Sequence, residues 1–131
     1  MELKIAKNQL ETLMECKGDS TDINQYVKGL RDLRKRIEDN PEYRKILKIN
    51  KVLSDKNRAL ILQLLLDKEE MCICEFSIAL GLKQPTISHH IQKIEDIELV
   101  EGIKSGKFIH YRLKRDKLEN FIALLDSLKS L

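Results

Sequence analysis

No stretch of these 131 residues approaches the ~18 to 20 consecutive apolar residues that a membrane span requires, so a transmembrane role finds no support. The first seventeen residues, MELKIAKNQLETLMECK, mix charge with apolar side chains and lack the apolar centre of a secretory signal. Cysteine is scarce: Cys16, Cys72 and Cys74 make an odd number, two of them at C-x-C spacing, which does not resemble a secreted disulfide framework. The expected location is therefore the cytoplasm. A P-loop, a dinucleotide-binding glycine fingerprint, H-E-x-x-H and G-x-S-x-G are all missing. No orienting constellation can be argued from the order of Cys and His, and an enzyme is not expected. Internal repeats, low-complexity segments and obvious linkers are missing too.

What is present is charge. Charged residues make up 34% of the chain against 42% apolar, above the typical ~25% charged, as expected of helices with heavily solvated faces. The formal net charge is only +3, so its distribution matters more than its total. Lys104, Lys107, Arg112, Lys114, Arg115 and Lys117 crowd one short region with few acids between them. A solvated rim would explain such a cluster on its own; a neighbouring motif makes a nucleic-acid backbone the better explanation.

Periodicity makes the chain mainly helical. Residues 3–17 read as a helix with Leu10, Leu13 and Met14 on one side and Gly18 as C-cap. Asp22 is an N-cap, and Ile23, Val27, Leu30, Leu33 and Ile37 recur at alternating fours and threes. Asn40-Pro41 restarts the chain and is the one candidate boundary. Tyr43, Ile46, Leu47, Val52 and Leu53 form another apolar face. Ser54 or Asp55 caps the next helix, whose run RALILQLLL is apolar on nearly all sides and so should be the most buried element. Residues 67–70 read as a polar connection and 72–80 as a short helix ended by Gly81. Pro85 sits in the first turn of the following helix, with Ile87, Ile91, Ile94 and Ile97 facing the core. After Leu99 the period changes: Ile103, Ser105-Gly106, Phe108, Ile109, Tyr111 and Leu113 predict two strands around a tight turn. Residues 117–131 close the chain as an amphipathic helix, its face formed by Leu118, Phe121, Ile122, Leu125 and Leu128.

Helix, glycine turn, helix and basic hairpin in this order over residues 71–113 predict a winged helix-turn-helix. The helix from Gln84 carries Gln84, Thr86, Ser88, His89, His90, Gln92 and Lys93, which can donate to phosphates or base edges. The hairpin adds Lys104 and Lys107. Glu, Lys and Ala would more often fill a purely structural surface helix. His89-His90 could also be read as metal ligands, but adjacent helical residues point about 100° apart, which favours DNA contact for His89 and packing or phosphate contact for His90. His110 is read as a wing-surface residue.

At these residues the chain resembles the arsenic-repressor (ArsR/SmtB) family of metal-sensing repressors. VLSDKNRALILQLL, residues 52–65, is similar to the signature that opens its domain, and CICEF to its C-V-C-D-L. Gln84, Ser88, His90 and Ile91 fall on its recognition-helix pattern, and Gly106, Tyr111 and Leu113 on that of its wing. The resemblance spans residues 50–131 and implies a homodimer with terminal helices at the interface. It also implies two recognition helices reading a palindromic operator in double-stranded DNA, with release when an ion binds. Departures are His89, where many members carry Arg, and Lys56-Asn57 in place of Pro-Thr. The family's other metal site, on the last helix, looks absent, since Lys117, Leu128 and Leu131 fall near the ligand positions.

Cys72 and Cys74 are the candidate metal ligands. In a regular helix, positions i and i+2 point about 200° apart, so the pair can serve one ion only if the segment begins irregularly. Two thiolates suit a soft ion, but stable sites want three or four ligands. The resemblance implies a third thiol where this chain has Ser77, and an N-terminal arm of the partner that could bring Cys16 instead. Three readings stand for the pair: sensing of As(III), Cd(II) or Zn(II), thiol redox sensing, and structural cysteines with another inducer or none. The expectation is thus a mainly α, winged helix-turn-helix transcriptional regulator with a two-stranded wing and extra N-terminal helices. Residues 1–50 form a helical extension for dimerisation and 51–131 the DNA-binding domain with a C-terminal dimerisation helix. A competing class is a winged-helix module for protein–protein assembly, using the Ile23 to Ile37 stripe.

Overall fold

The computed structural model describes residues 5–18 and 22–128. The expected helix start at Leu3 and the position of Leu131 lie outside the described residues. The elements run α1 Lys7–Lys17, α2 Ile23–Glu38, α3 Pro41–Leu53, α4 Lys56–Lys68, β1 Glu70–Cys72, α5 Ile73–Leu80, α6 Gln84–Asp96, β2 Val100–Ser105, β3 Phe108–Leu113 and α7 Arg115–Ser127. They divide into two compact units, Met1–Asn40 and Pro41–Leu131.

The N-terminal unit consists of α1 and α2. Asp22 caps α2 by accepting from the Gln25 N–H at 3.2 Å, and Gly18 ends α1 at a φ of 78°, both as the caps predict. Neither helix buries a residue. The Lys17 ammonium lies 4.7 Å from the centre of the Tyr26 ring.

The second unit holds the core. Ile46 and Ile49 of α3, Ile61, Leu62 and Leu65 of α4, Phe76 of α5, and Ile87, Ile91 and Ile94 of α6 pack with Tyr111, Leu113 and Phe121. Each fully buried side chain of this kind contributes about 1.5–3 kcal/mol. Ile46 and Ile49 belong to this core, so α3 packs within the second compact unit, and the two units part at Asn40-Pro41. The expectation that α4 is the most buried element also needs correction: it buries Ile61, Leu62 and Leu65, one residue fewer than α6, and leaves Leu60 42% and Leu66 40% exposed. An apolar circumference states what a helix could bury, whereas the neighbours within one chain cover a single side. On α7 only Phe121 is buried, and Ile122, Leu125 and Leu128 stay uncovered.

The expected two-stranded wing is part of a three-stranded antiparallel sheet in the order β1-β3-β2. β1 pairs Glu70 with Arg112, Met71 with Tyr111 and Cys72 with His110. Residues 67–70 read as a connection because three paired residues are too few to show a period. What holds β1 is Met71, buried opposite Tyr111. Gly102 lies where β2 passes Tyr111: a Cβ there would stand 2.7 Å from Ile109 Cγ2 and 3.0 Å from Tyr111 Cε1.

Candidate nucleic-acid interface and cysteine pair

The recognition helix α6 follows from its own period. Ile87, Ile91 and Ile94 are buried at threes and fours, which leaves Gln84, Thr86, Ser88, His89, Gln92 and Lys93 on the exposed side. A short turn after α5 aims it. Gly81 takes the left-handed conformation at φ 68° and ψ 29°, and the Ser77 hydroxyl donates to the Leu82 carbonyl across the turn. Lys83 is the N-cap of α6 and offers no side-chain cap. A cation at the positive end of a helix dipole is unfavourable by itself. It becomes useful if a phosphate is to sit there. Lys83 was not among the expected contacts; a lysine just before Gln84-Pro85 was the signal available.

His90 does not belong to the exposed set. It is 9% exposed, and its Nδ1 lies 3.3 Å from Arg58 Nη1 and 3.9 Å from Asp55 Oδ1. Arg58 Nε donates to the Val52 carbonyl at 2.6 Å. Asp55, the N-cap of α4, accepts from the backbone of Asn57 and Arg58 at 2.8 and 3.1 Å. The Arg58 backbone N–H is the largest influence holding the Asp55 carboxyl below its ordinary range, with the Asn57 N–H and the Arg58 charge adding to it. His90 therefore ties the recognition helix to the start of α4; of the two roles expected for it, packing or phosphate contact, its burial favours packing. The helix turn places His89 outward and His90 inward, which their angular separation of about 100° allows. Gln92 is exposed but already donates to Asp96 at 3.0 Å.

Lys104 and Lys107 are exposed on the hairpin. Ser105 pairs with Phe108, leaving Gly106 and Lys107 as a two-residue turn with Gly106 at φ 60°, the position where a type II′ turn favours glycine. Phe108 and Ile109 beside them are exposed as well. Further along β3, Arg112 Nε donates to Glu101 Oε1 at 2.8 Å, so that arginine is engaged inside the sheet.

Cys72 ends β1 and is the N-cap of α5, with extended backbone at φ −92° and ψ 166°. The irregular start that two thiols at i and i+2 need is therefore present. Cys72 is half-buried, Cys74 and Cys16 are exposed, and all three are free. The Cys72 N–H donates to Glu75 Oε1 at 3.0 Å. That bond, followed by the Cys72 thiol and the charges of His110 and Lys68, keeps the Glu75 carboxyl below the usual range. Ser77, at the third thiol position of the resemblance, is committed to the turn. Cys16 stands on α1 in the N-terminal unit. Among the described residues no three Cys, His, Asp or Glu side chains stand together as a ready-made cage for an ion, and no helix is long and apolar enough to cross a membrane.

The sequence model of the family described as bacterial regulatory protein, arsR family, matches residues 55–102, from the α4 cap to the middle of β2. A helix-turn-helix transcriptional regulator of Methanocaldococcus jannaschii, itself uncharacterised, is 34% identical over 87 residues, covering 66% of this chain and 98% of that protein. The chain belongs to the arsR family. This arsR-family regulator is also 37% identical over 84 residues to the arsenical resistance operon repressor of Staphylococcus aureus, covering 64% of this chain and 80% of the relative. Among solved structures it is similar to a homodimeric winged helix-turn-helix DNA-binding domain from Mycobacterium bovis, described as a possible ArsR-family regulator. There the identity is 26%, the TM-score 0.53, and the coverage 66% of this chain and 79% of that one. As an arsR-family protein the chain is a DNA-binding transcriptional regulator and not an enzyme.

Proposed function

We propose that this arsR-family regulator is a homodimeric repressor whose α6 helices and wings read a palindromic operator. It leaves that operator when a thiophilic ion such as As(III), Cd(II) or Zn(II) is held by Cys72 and Cys74. The observation that carries the DNA reading is the division of α6 into two sides. One side is anchored by Ile87, Ile91, Ile94 and His90, and the other exposes Gln84, Thr86, Ser88, His89 and Lys93. Thr86, Ser88 and His89 supply base-edge contacts; Lys83, Lys93, Lys104 and Lys107 supply phosphate contacts. His89 in place of a bidentate arginine favours phosphate or water-mediated contact over a direct guanine pair.

Two features support the homodimer: the uncovered Ile122, Leu125 and Leu128 on α7, and the homodimeric state of the related solved domain. Support for ion release comes from the cysteine pair at an irregular helix start and from the arsenical repressor among the relatives. When bound, a thiophilic ion supplies positive charge and a cross-link. This chain's residues contribute two thiols at the junction of β1 and α5, at the opposite end of α5 from the Gly81 turn that aims α6.

The test is binding of reduced protein to duplex DNA at rising salt, with and without the ion. Affinity that falls steeply with salt and drops on adding the ion is expected. A salt-insensitive interaction would favour an assembly module instead. Cys72→Ser/Cys74→Ser protein that still releases DNA on adding As(III), Cd(II) and Zn(II) would remove the thiols from the mechanism.

A further inference from the structure

The register of β1 against β3 brings a third ligand-type side chain to the cysteine pair. Cys72 is the Cα partner of His110, and directly opposed residues on antiparallel strands have their Cβ atoms about 4.5–5.5 Å apart on the same face. That face is the outer one. Met71, Tyr111 and Leu113 are buried on the inner face, so alternation places Cys72 and His110 outward, both half-buried. Glu75 lies on the same junction, its carboxylate 3.0 Å from the Cys72 nitrogen. His110 is also near enough for its charge to bear on Glu75. Cys72, Cys74, Glu75 and His110 therefore belong to segments that adjoin where β1 turns into α5, although their side chains do not stand together as a formed site.

Building on the thiolate reading above, we infer that His110 is the third ligand of the Cys72–Cys74 site, with Glu75 able to supply a fourth. The position of the missing third thiol is filled from β3, not from Ser77. Since no cage is preformed among the described residues, the ligands gather by rotation about their own side-chain bonds between staggered wells. Their chemistry selects the ion. Two thiolates with an imidazole and a carboxylate or water suit a tetrahedral divalent ion such as Zn(II) or Cd(II). As(III), which binds three thiolates, is left one sulfur short. Ligation through His110 also acts on the strand that ends in the wing, because Lys107 and Phe108 lie within three residues of it.

The experiment is titration of the reduced full chain with Zn(II), Cd(II), Co(II) and arsenite, read by thiolate charge-transfer absorbance, and X-ray absorption of the zinc-loaded protein. Two sulfur ligands and one imidazole are expected. His110→Gln should weaken Zn(II) and Cd(II) binding roughly tenfold or more, and His110→Cys should gain tight arsenite binding by completing three thiolates. Zinc held by sulfur without imidazole, Zn(II) affinity unchanged in His110→Gln, or no arsenite gain in His110→Cys would each overturn the role of His110. If Cys72→Ser/Cys74→Ser still abolishes binding in that case, the thiolate reading stands without it. Wild-type protein that gives no thiolate band with any of the four ions would overturn the thiolate reading and this inference together.

Discussion

Helices α2 and α6 have the same kind of sequence and different outcomes. Both carry apolar residues at threes and fours, with polar residues on the remaining side. α6 buries Ile87, His90, Ile91 and Ile94, while α2 buries nothing, and its Leu30 and Leu33 are 46% and 41% exposed. Amphipathicity states that a face gains by being covered; it does not name the cover. For α6 the cover is α3, α4, α5 and the sheet, so its polar side is aimed by a rigid core. A side aimed in this way can read DNA. A stripe left open can assemble.

The largest effect should come from breaking the covered helix. Ile94→Ala should cost about 2–5 kcal/mol in chemical denaturation of the chain, while Leu33→Ala changes the same quantity by no more than about 0.5 kcal/mol and weakens self-association instead. Equal penalties would mean that α2 shares the folding unit of α6. Next comes the pair of histidines. His90→Ala should cost roughly 1–3 kcal/mol in thermal unfolding, since it removes the buried imidazole that partners Arg58 Nη1. His89→Ala should leave stability alone and change discrimination among DNA sequences by about 1–3 kcal/mol. An exchange of these two phenotypes would mean that α6 is rotated relative to the assignment made here.

Wing substitutions should act more gently. Lys104→Ala or Lys107→Ala should weaken binding across all sequences and reduce the slope of log affinity against log salt by about one; a change confined to one sequence would move that lysine from phosphate to base contact. Smallest is the acid response of the α4 cap. The Asp55 carboxyl is lowered in the folded chain, chiefly by the Arg58 N–H. Its contribution is therefore present above the ordinary aspartate range and lost as pH falls through the folded value. Asp55→Asn keeps a capping side chain and should flatten the acid limb of the stability profile with little change at neutral pH.

Much of the regulator was legible in one sequence because its signals are local. The isoleucine period of α6, the caps Asp22 and Asp55, the glycines at 18, 81 and 106, and the change of period after Leu99 each depend on neighbours within a few residues. Long-range signals were not legible. β1 is three residues long, and only its pairing with β3 makes it a strand. His90 carries the same polar character as His89, and burial against Arg58 separates them. His110 read as wing surface because nothing in its own stretch of chain announces Cys72. The exposed Leu60 and Leu66 show the converse, since apolar content alone overstates burial.

By itself the sequence determined the type of every long element, the face of α6 that turns to the core, the basic wing and the family. Those follow from helix and strand periodicity, from cap and turn chemistry, and from residues at fixed spacing. Only the tertiary structure decided which polar side chains of α6 are exposed. It also decided what stands beside Cys72. The physical reason is one of range: backbone geometry sets a side chain's direction on its own element, while its neighbours come from distant segments brought together by packing and strand register.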